Sequence, residues 1–166
     1  MNPENYPTCK TSNGEYQFFS DGRRGVFEMR VVFEQVGDDT YNLAFGVWDP
    51  VSGSINDSEV LRNGDMDKIL ATVGFAVIEF LRMREKALII ATGRVLPGAN
   101  PTRNRKYRMS IGKHLDWLAR DYHILGFLAD RGDDQEIIGQ WPHGWSGTWK
   151  VFNRETNFDA FLLRKK

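Results

Sequence analysis

The strongest constraint on this chain is a strict two-residue alternation that later gives way to a helical period. Phe27, Met29, Val31 and Phe33 alternate with Glu28, Arg30 and Glu34, and after the Gly37-Asp38-Asp39 turn Tyr41, Leu43, Phe45 and Val47 alternate again. A period of two sends one set of side chains to a core and the other to water, as in an antiparallel sheet with one wet face. With a first strand around Tyr16 and Phe18 that ends at the Ser20–Gly25 turn, these stretches predict a three-strand meander closed by Asp49-Pro50. From Asp65 the spacing changes. Met66, Ile69, Leu70, Val73, Val77, Phe80 and Leu81 share one helical face, Asp65 and Asp67 stand in the first turn, and Arg82, Arg84 and Lys86 stand at the end. That charge order suits the helix dipole, so the segment predicts a long helix lying deep against the sheet.

Between this helix and the next, Leu88-Ile89-Ile90-Ala91 is a continuous apolar run ending at Thr92-Gly93, which reads as a strand covered on both faces. A second helix should then run to about Ala119: Asn100 or Thr102 can cap it, Pro101 suits its first turn, and Tyr107, Ile111, Leu115 and Leu118 recur on one stripe. A short strand at 58–61, another from His123 to Ala129, and closing strands from Thr148 to Phe152 and Phe158 to Leu163 complete the reading. The expected fold class is α+β. It is one domain over residues 1–166, frayed over 1–13, with a mostly antiparallel sheet of about six to eight strands and two principal helices.

Composition excludes several classes of function. The 22 basic residues balance 22 acidic ones, so any pull on nucleic acid must come from a local patch. A single cysteine, Cys9, rules out an internal disulfide and a cysteine zinc site. His114, His123 and His143 are scattered without partners at ligand spacing, so no metal is expected. No stretch is apolar for long enough to span a bilayer, and the opening residues lack a signal-peptide pattern, so a cytoplasmic protein is expected. Gly144-Trp145-Ser146-Gly147 lacks the spacing of a nucleophile elbow.

The best candidate site is the start of the second helix. Arg103 lies one turn ahead of Tyr107 on the inward stripe, while Arg105, Lys106 and Arg108 fan outward. The helix dipole opposes a cation at a helix N-terminus, and the free amides there favour an anion. An anion held by those amides, Arg103, Arg105 and the Thr92-Gly93 turn, with Asn100 and Tyr107 alongside, would resolve both problems. The alternative is that Arg103 pairs with one of the chain's own acids, Asp49 or Asp65. Trp141, Trp145 and Trp149, set in a glycine-rich loop, either close a small core or form a platform for a partner.

Four segments carry a resemblance: Tyr41–Asp49 (YNLAFGVWD), Asn63–Val73 (NGDMDKILATV), Ala91–Gly93 (ATG) and Thr102–Ile111 (TRNRKYRMSI). In this order and spacing the chain resembles a family of small uncharacterised bacterial proteins, a domain of unknown function, which implies a bacterial or phage-associated protein and no known activity. More distantly, the order of meander, helix, strand, helix and closing strands is similar to the later half of the GNAT acetyltransferase fold. That likeness implies acetyl-coenzyme A as a cofactor held near Gly64, with Asn100 and Tyr107 standing for that family's Asn and Tyr, and Tyr107 as general acid. The segment Arg62–Asp67 departs from the family pattern, offering one glycine and two acids where the family has a glycine-rich loop. The residues favour a binding or regulatory module, rather than an enzyme, that takes an anionic partner: a nucleotide, a nucleic-acid backbone or an acidic protein face. The rival is a GNAT-like N-acyltransferase. A third expectation is a component of a toxin–antitoxin or defence operon with Trp141, Trp145 and Trp149 at a protein interface.

Overall fold

A computed structural model describes residues 4–56, 62–93 and 102–166, with the backbone alone at 102 and 103. The chain forms two compact units, one of Met1–Glu34 with Leu43–Arg84 and the other of Gln35–Asn42 with Glu85–Lys166.

The first unit holds β1 (Cys9–Ser12), β2 (Glu15–Gly22), most of β3 (Gly25–Gly37), most of β4 (Thr40–Asp49), β5 (Ser54–Asn56) and α1 (Met66–Met83). β2 and β3 pair antiparallel with Tyr16 opposite Val31 and Phe18 opposite Met29, so the alternating apolar residues share one face. Onto that face α1 turns Ile69, Val73, Ala76, Phe80 and Leu81, all buried, and Phe80 stacks on Phe33 at 4.2 Å between ring centroids. On the wet face the Arg30 guanidinium reaches Glu15 at 2.6 Å and Glu28 at 2.8 Å and lies over the Trp48 ring at 4.2 Å. Gly22 has to be glycine: a Cβ there would meet the Asn63 carbonyl oxygen at 2.1 Å.

In the second unit the start of β4 pairs parallel with β6 (Leu88–Ala91), through Thr40 with Leu88, Tyr41 with Ile89 and Asn42 with Ile90. β6 then pairs antiparallel with β9 (Ala160–Lys165), β9 with β7 (Tyr122–Ala129), and β7 with β8 (Gly147–Val151). α2 (Thr102–Lys113) and α3 (Leu115–Asp121) follow β6. The core is aromatic: Tyr107, Phe127, Phe152, Phe158 and Phe161 are buried beside Ile89, Ile90 and Ile124. Gly126 makes room for Phe158, whose ring would lie 2.3 Å from any Cβ at that position.

The α+β reading, with a mostly antiparallel sheet of about six to eight strands and two principal helices, is corrected. Among the described residues the strands are nine and the sheet is mixed, in the order β1-β2-β3-β4-β6-β9-β7-β8 with β5 beside β4, and the helices are three. β1 lies in the opening segment, where all four of its residues are exposed and leave no hydrophobic period to read. The parallel β4–β6 pair joins residues some fifty positions apart, which local periodicity cannot reveal. The second helix is interrupted because Arg154 Nε takes the Gly112 carbonyl at 2.9 Å, a carbonyl the helical ladder would need, while the His114 amide bonds back to Ile111. The hairpin strand beside β4 is Ser54–Asn56; the expected strand at 58–61 lies outside the described residues.

Candidate functional site

β6 delivers Thr92 and Gly93 into a hydrogen-bonded corner. The buried Thr92 hydroxyl donates to the Asp159 carbonyl at 2.7 Å, and the Gly93 amide donates to Asn104 Oδ1 at 3.2 Å. Asn104, in the first turns of α2 and fully buried, donates its Nδ2 to the Phe158 carbonyl. An amide side chain is suited to this place because it must accept on one side and donate on the other. Asp159 itself is buried, accepting from Arg131 Nη2 at 2.6 Å and from the Ala129 amide at 2.9 Å. The corner thus fixes where α2 begins relative to β6, β7 and the approach to β9.

Of the residues singled out from sequence, Thr92 and Gly93 form part of this corner, and Tyr107 lies one turn along α2 from Asn104. Tyr107 is buried edge-on to Phe161 at 6.2 Å and 90°. Arg105 is exposed on the outer side of α2. Asn100 and the Arg103 side chain lie outside the described residues. The two acids considered as partners for Arg103 have other bonds: Asp65 Oδ2 accepts from Tyr6 and Ser20 hydroxyls at 2.5 and 2.6 Å, and Asp49 accepts from the Val51 amide at 2.9 Å. Asn104, Asp159 and Arg131 were not anticipated. Asp159 could have been, because it is a lone acid in the apolar run Phe158–Leu162, and a buried acid demands a partner.

Three side-chain atoms among the described residues are sealed from solvent without a hydrogen-bond partner: Tyr16 Oη, Asp65 Oδ1 and Arg108 Nε. Tyr16 is 1% exposed, and burial together with the negative charge of Glu79 pushes its phenol above the ordinary value, against the opposing charge of Arg84. The other oxygen of Asp65 carries two hydroxyl donors, and burial followed by that carboxylate's hydrogen bond raises the Tyr6 phenol. Arg108 differs from both, being a permanent cation on the flank of α2. It stands one turn beyond Asn104 instead of fanning fully outward. α2 carries Arg103, Arg105, Lys106, Arg108 and Lys113 and no acid.

The tryptophans assemble around Phe127. Trp149 meets it at 4.9 Å and Trp145 at 6.2 Å, Trp141 lies 4.8 Å from Trp145, and all three indoles are half-buried. The Trp141 indole N–H donates to Asn42 Oδ1 at 2.7 Å, and a His143 ring nitrogen lies 2.6 Å from the Val36 carbonyl, which pins the loop at both points. Cys9 is exposed. Among the described residues no group of three His, Cys, Asp or Glu is placed to hold a metal, and no helix is long and apolar enough to cross a membrane.

No curated protein and no solved structure matches this chain. A family model does, from residue 2 to residue 166, and the chain therefore belongs to DUF6934, a family of unknown function.

Proposed function

We propose that this protein is a binding module for an anionic partner, which it takes on the basic helix α2. The observation that carries the reading is Arg108: its Nε is sealed from solvent with no acceptor, on a helix with five basic residues and no acid. Desolvating a guanidinium nitrogen without an acceptor is costly, and an anion beside the solvent-facing part of that guanidinium would offset the cost. Arg103 and Arg105 add charge at and after the helix start. Thr92 and Gly93 shape the turn through their bonds to Asp159 and Asn104, and Tyr107 packs the helix onto Phe161.

Thermal unfolding with inorganic tripolyphosphate tests this. Saturation at about a hundred times the dissociation constant should stabilise the folded chain by about 2.7 kcal/mol. Arg105→Gln and Arg108→Gln should each reduce the shift at fixed ligand concentration. An unchanged melting temperature at saturating phosphate would remove the reading.

One observation favours the acyltransferase alternative. β6 is where the sheet changes direction, parallel to β4 over three register pairs and antiparallel to β9, and it is the strand between helices in the element order of the GNAT likeness. Tyr107 then lies on the helix that follows. A thermal shift with acetyl-coenzyme A, absent with tripolyphosphate, would favour this reading over the first.

A further inference from the structure

We propose that the exposed side of α2 and α3 binds single-stranded nucleic acid, with Arg105, Lys106, Lys113 and Arg120 on phosphates and a base stacked on Trp117. The proposal rests on the anion-binding reading and names its partner class.

At about 100° per residue, Arg105, Met109, Lys113 and Lys106 fall within a sector of α2 about 100° wide. Arg105, Met109 and Lys113 are exposed there, and the buried Asn104 and Tyr107 lie on the other side. α3 follows Lys113 with one residue between. It buries none of its residues, Trp117 is 43% exposed, and Arg120 is exposed beside it. Residues 102–121 hold six basic and two acidic residues, a surplus of four in a chain whose totals balance. One of the two acids, Asp116, sits 3.7 Å from the half-exposed Arg154, which brings another cation to the same surface.

A row of cations spread over two helices matches a polyanion better than a single small anion. Four of the six basic residues are arginines, whose planar forks suit phosphate oxygens and stack on bases. An exposed indole in such a field offers a ring to an unpaired base, whatever its sequence, whereas a duplex keeps its bases stacked inside. A membrane surface fits less well. An interfacial helix opposes a broad apolar face to its cations, but the exposed sector of α2 offers Met109 alone among charges.

The test is fluorescence anisotropy on the full chain with a labelled oligothymidylate about a dozen nucleotides long, its duplex with oligoadenylate, and a labelled polyglutamate, each over a range of potassium chloride. The single strand should bind with a logarithmic salt slope of about −0.7 per phosphate contacted. Trp117→Ala should weaken single-strand binding about tenfold, while Trp117→Phe keeps it within about threefold. The double variant Arg105→Gln/Lys113→Gln should flatten the slope by about 1.4. These positions are exposed, so melting temperatures should be unchanged, and the double variant probes the surface independently of Trp117. Single-strand binding indifferent to Trp117→Ala, or polyglutamate binding of equal strength, would overturn the proposal and leave the anion reading standing. Failure of all these polyanions and of tripolyphosphate would overturn both.

Discussion

Each unit holds a half-buried arginine, and the two are treated in opposite ways. Arg30, in the first, has Glu15 on one side, Glu28 on the other and the Trp48 ring beneath it. Burial alone would lower its pKa, but the hydrogen bonds it donates to both carboxylates more than offset this and hold it above the ordinary value. Glu28 is correspondingly held below the usual carboxylate range, first by its bond from Gln17 and then by Arg30. Arg108, in the second unit, has a sealed Nε and no acceptor, on a helix without a single acid. The contrast shows that this chain can satisfy an arginine where the cation serves only the fold. An arginine left unsatisfied is therefore more informative than a satisfied one.

The largest effect should come from the frame that holds the unsatisfied cation in place. Asn104→Leu removes the acceptor of the Gly93 amide and the donor to the Phe158 carbonyl, leaving buried backbone groups unpaired, at a cost of about 3 kcal/mol. Denaturant unfolding measures this, and a loss within experimental error would mean the corner does not hold α2. Next comes the direct comparison. Arg30→Ala leaves Glu15 and Glu28 without their cation and should cost about 2 kcal/mol, less than a fully buried pair because all three side chains keep some solvent. Arg108→Met should be neutral, or stabilising by up to about 1 kcal/mol, because it replaces a guanidinium whose sealed Nε has no acceptor by an apolar chain of similar length. Equal destabilisation by the two substitutions would erase the contrast.

How much of this was legible depends on how local each cause is. α1 and the strands before it announce themselves, because Phe27 to Phe33 and Met66 to Leu81 repeat with the period of their own element. β1 leaves no such trace, because an edge strand with every side chain in water needs no apolar residue. The break between α2 and α3 depends on Arg154 reaching Gly112 from forty-two positions away, a cause that local periodicity does not carry. The corner is intermediate. Thr92 and Gly93 read as a turn after an apolar run, but nothing local marks Asn104, a polar residue in a basic helix, because its two bonds go to Gly93 and to the distant Phe158. Asp159 carried a clearer sign, as an acid among Phe158, Ala160, Phe161 and Leu162.

The smallest effect tests whether the contrast extends beyond the arginines to the local field. His114, at the break between the two helices, is pushed below the ordinary histidine value, first by burial and then by the charge of Lys113. Since the folded chain binds this proton less tightly than the unfolded chain, the stability contribution is complete above the unfolded value of about 6.5 and is lost as pH falls through the lower folded value. Denaturant midpoints should therefore decline as the medium is acidified below about pH 6.5, and His114→Gln should make the decline shallower. A polyanion on the α2–α3 surface would offset the charge of Lys113 and raise the folded pKa, and by linkage its binding would take up a proton. Following the His114 ring resonance by NMR against pH, with and without tripolyphosphate, reads this directly. A titration unmoved by the ligand would place the anion elsewhere and leave Arg108 as an uncompensated feature of the fold.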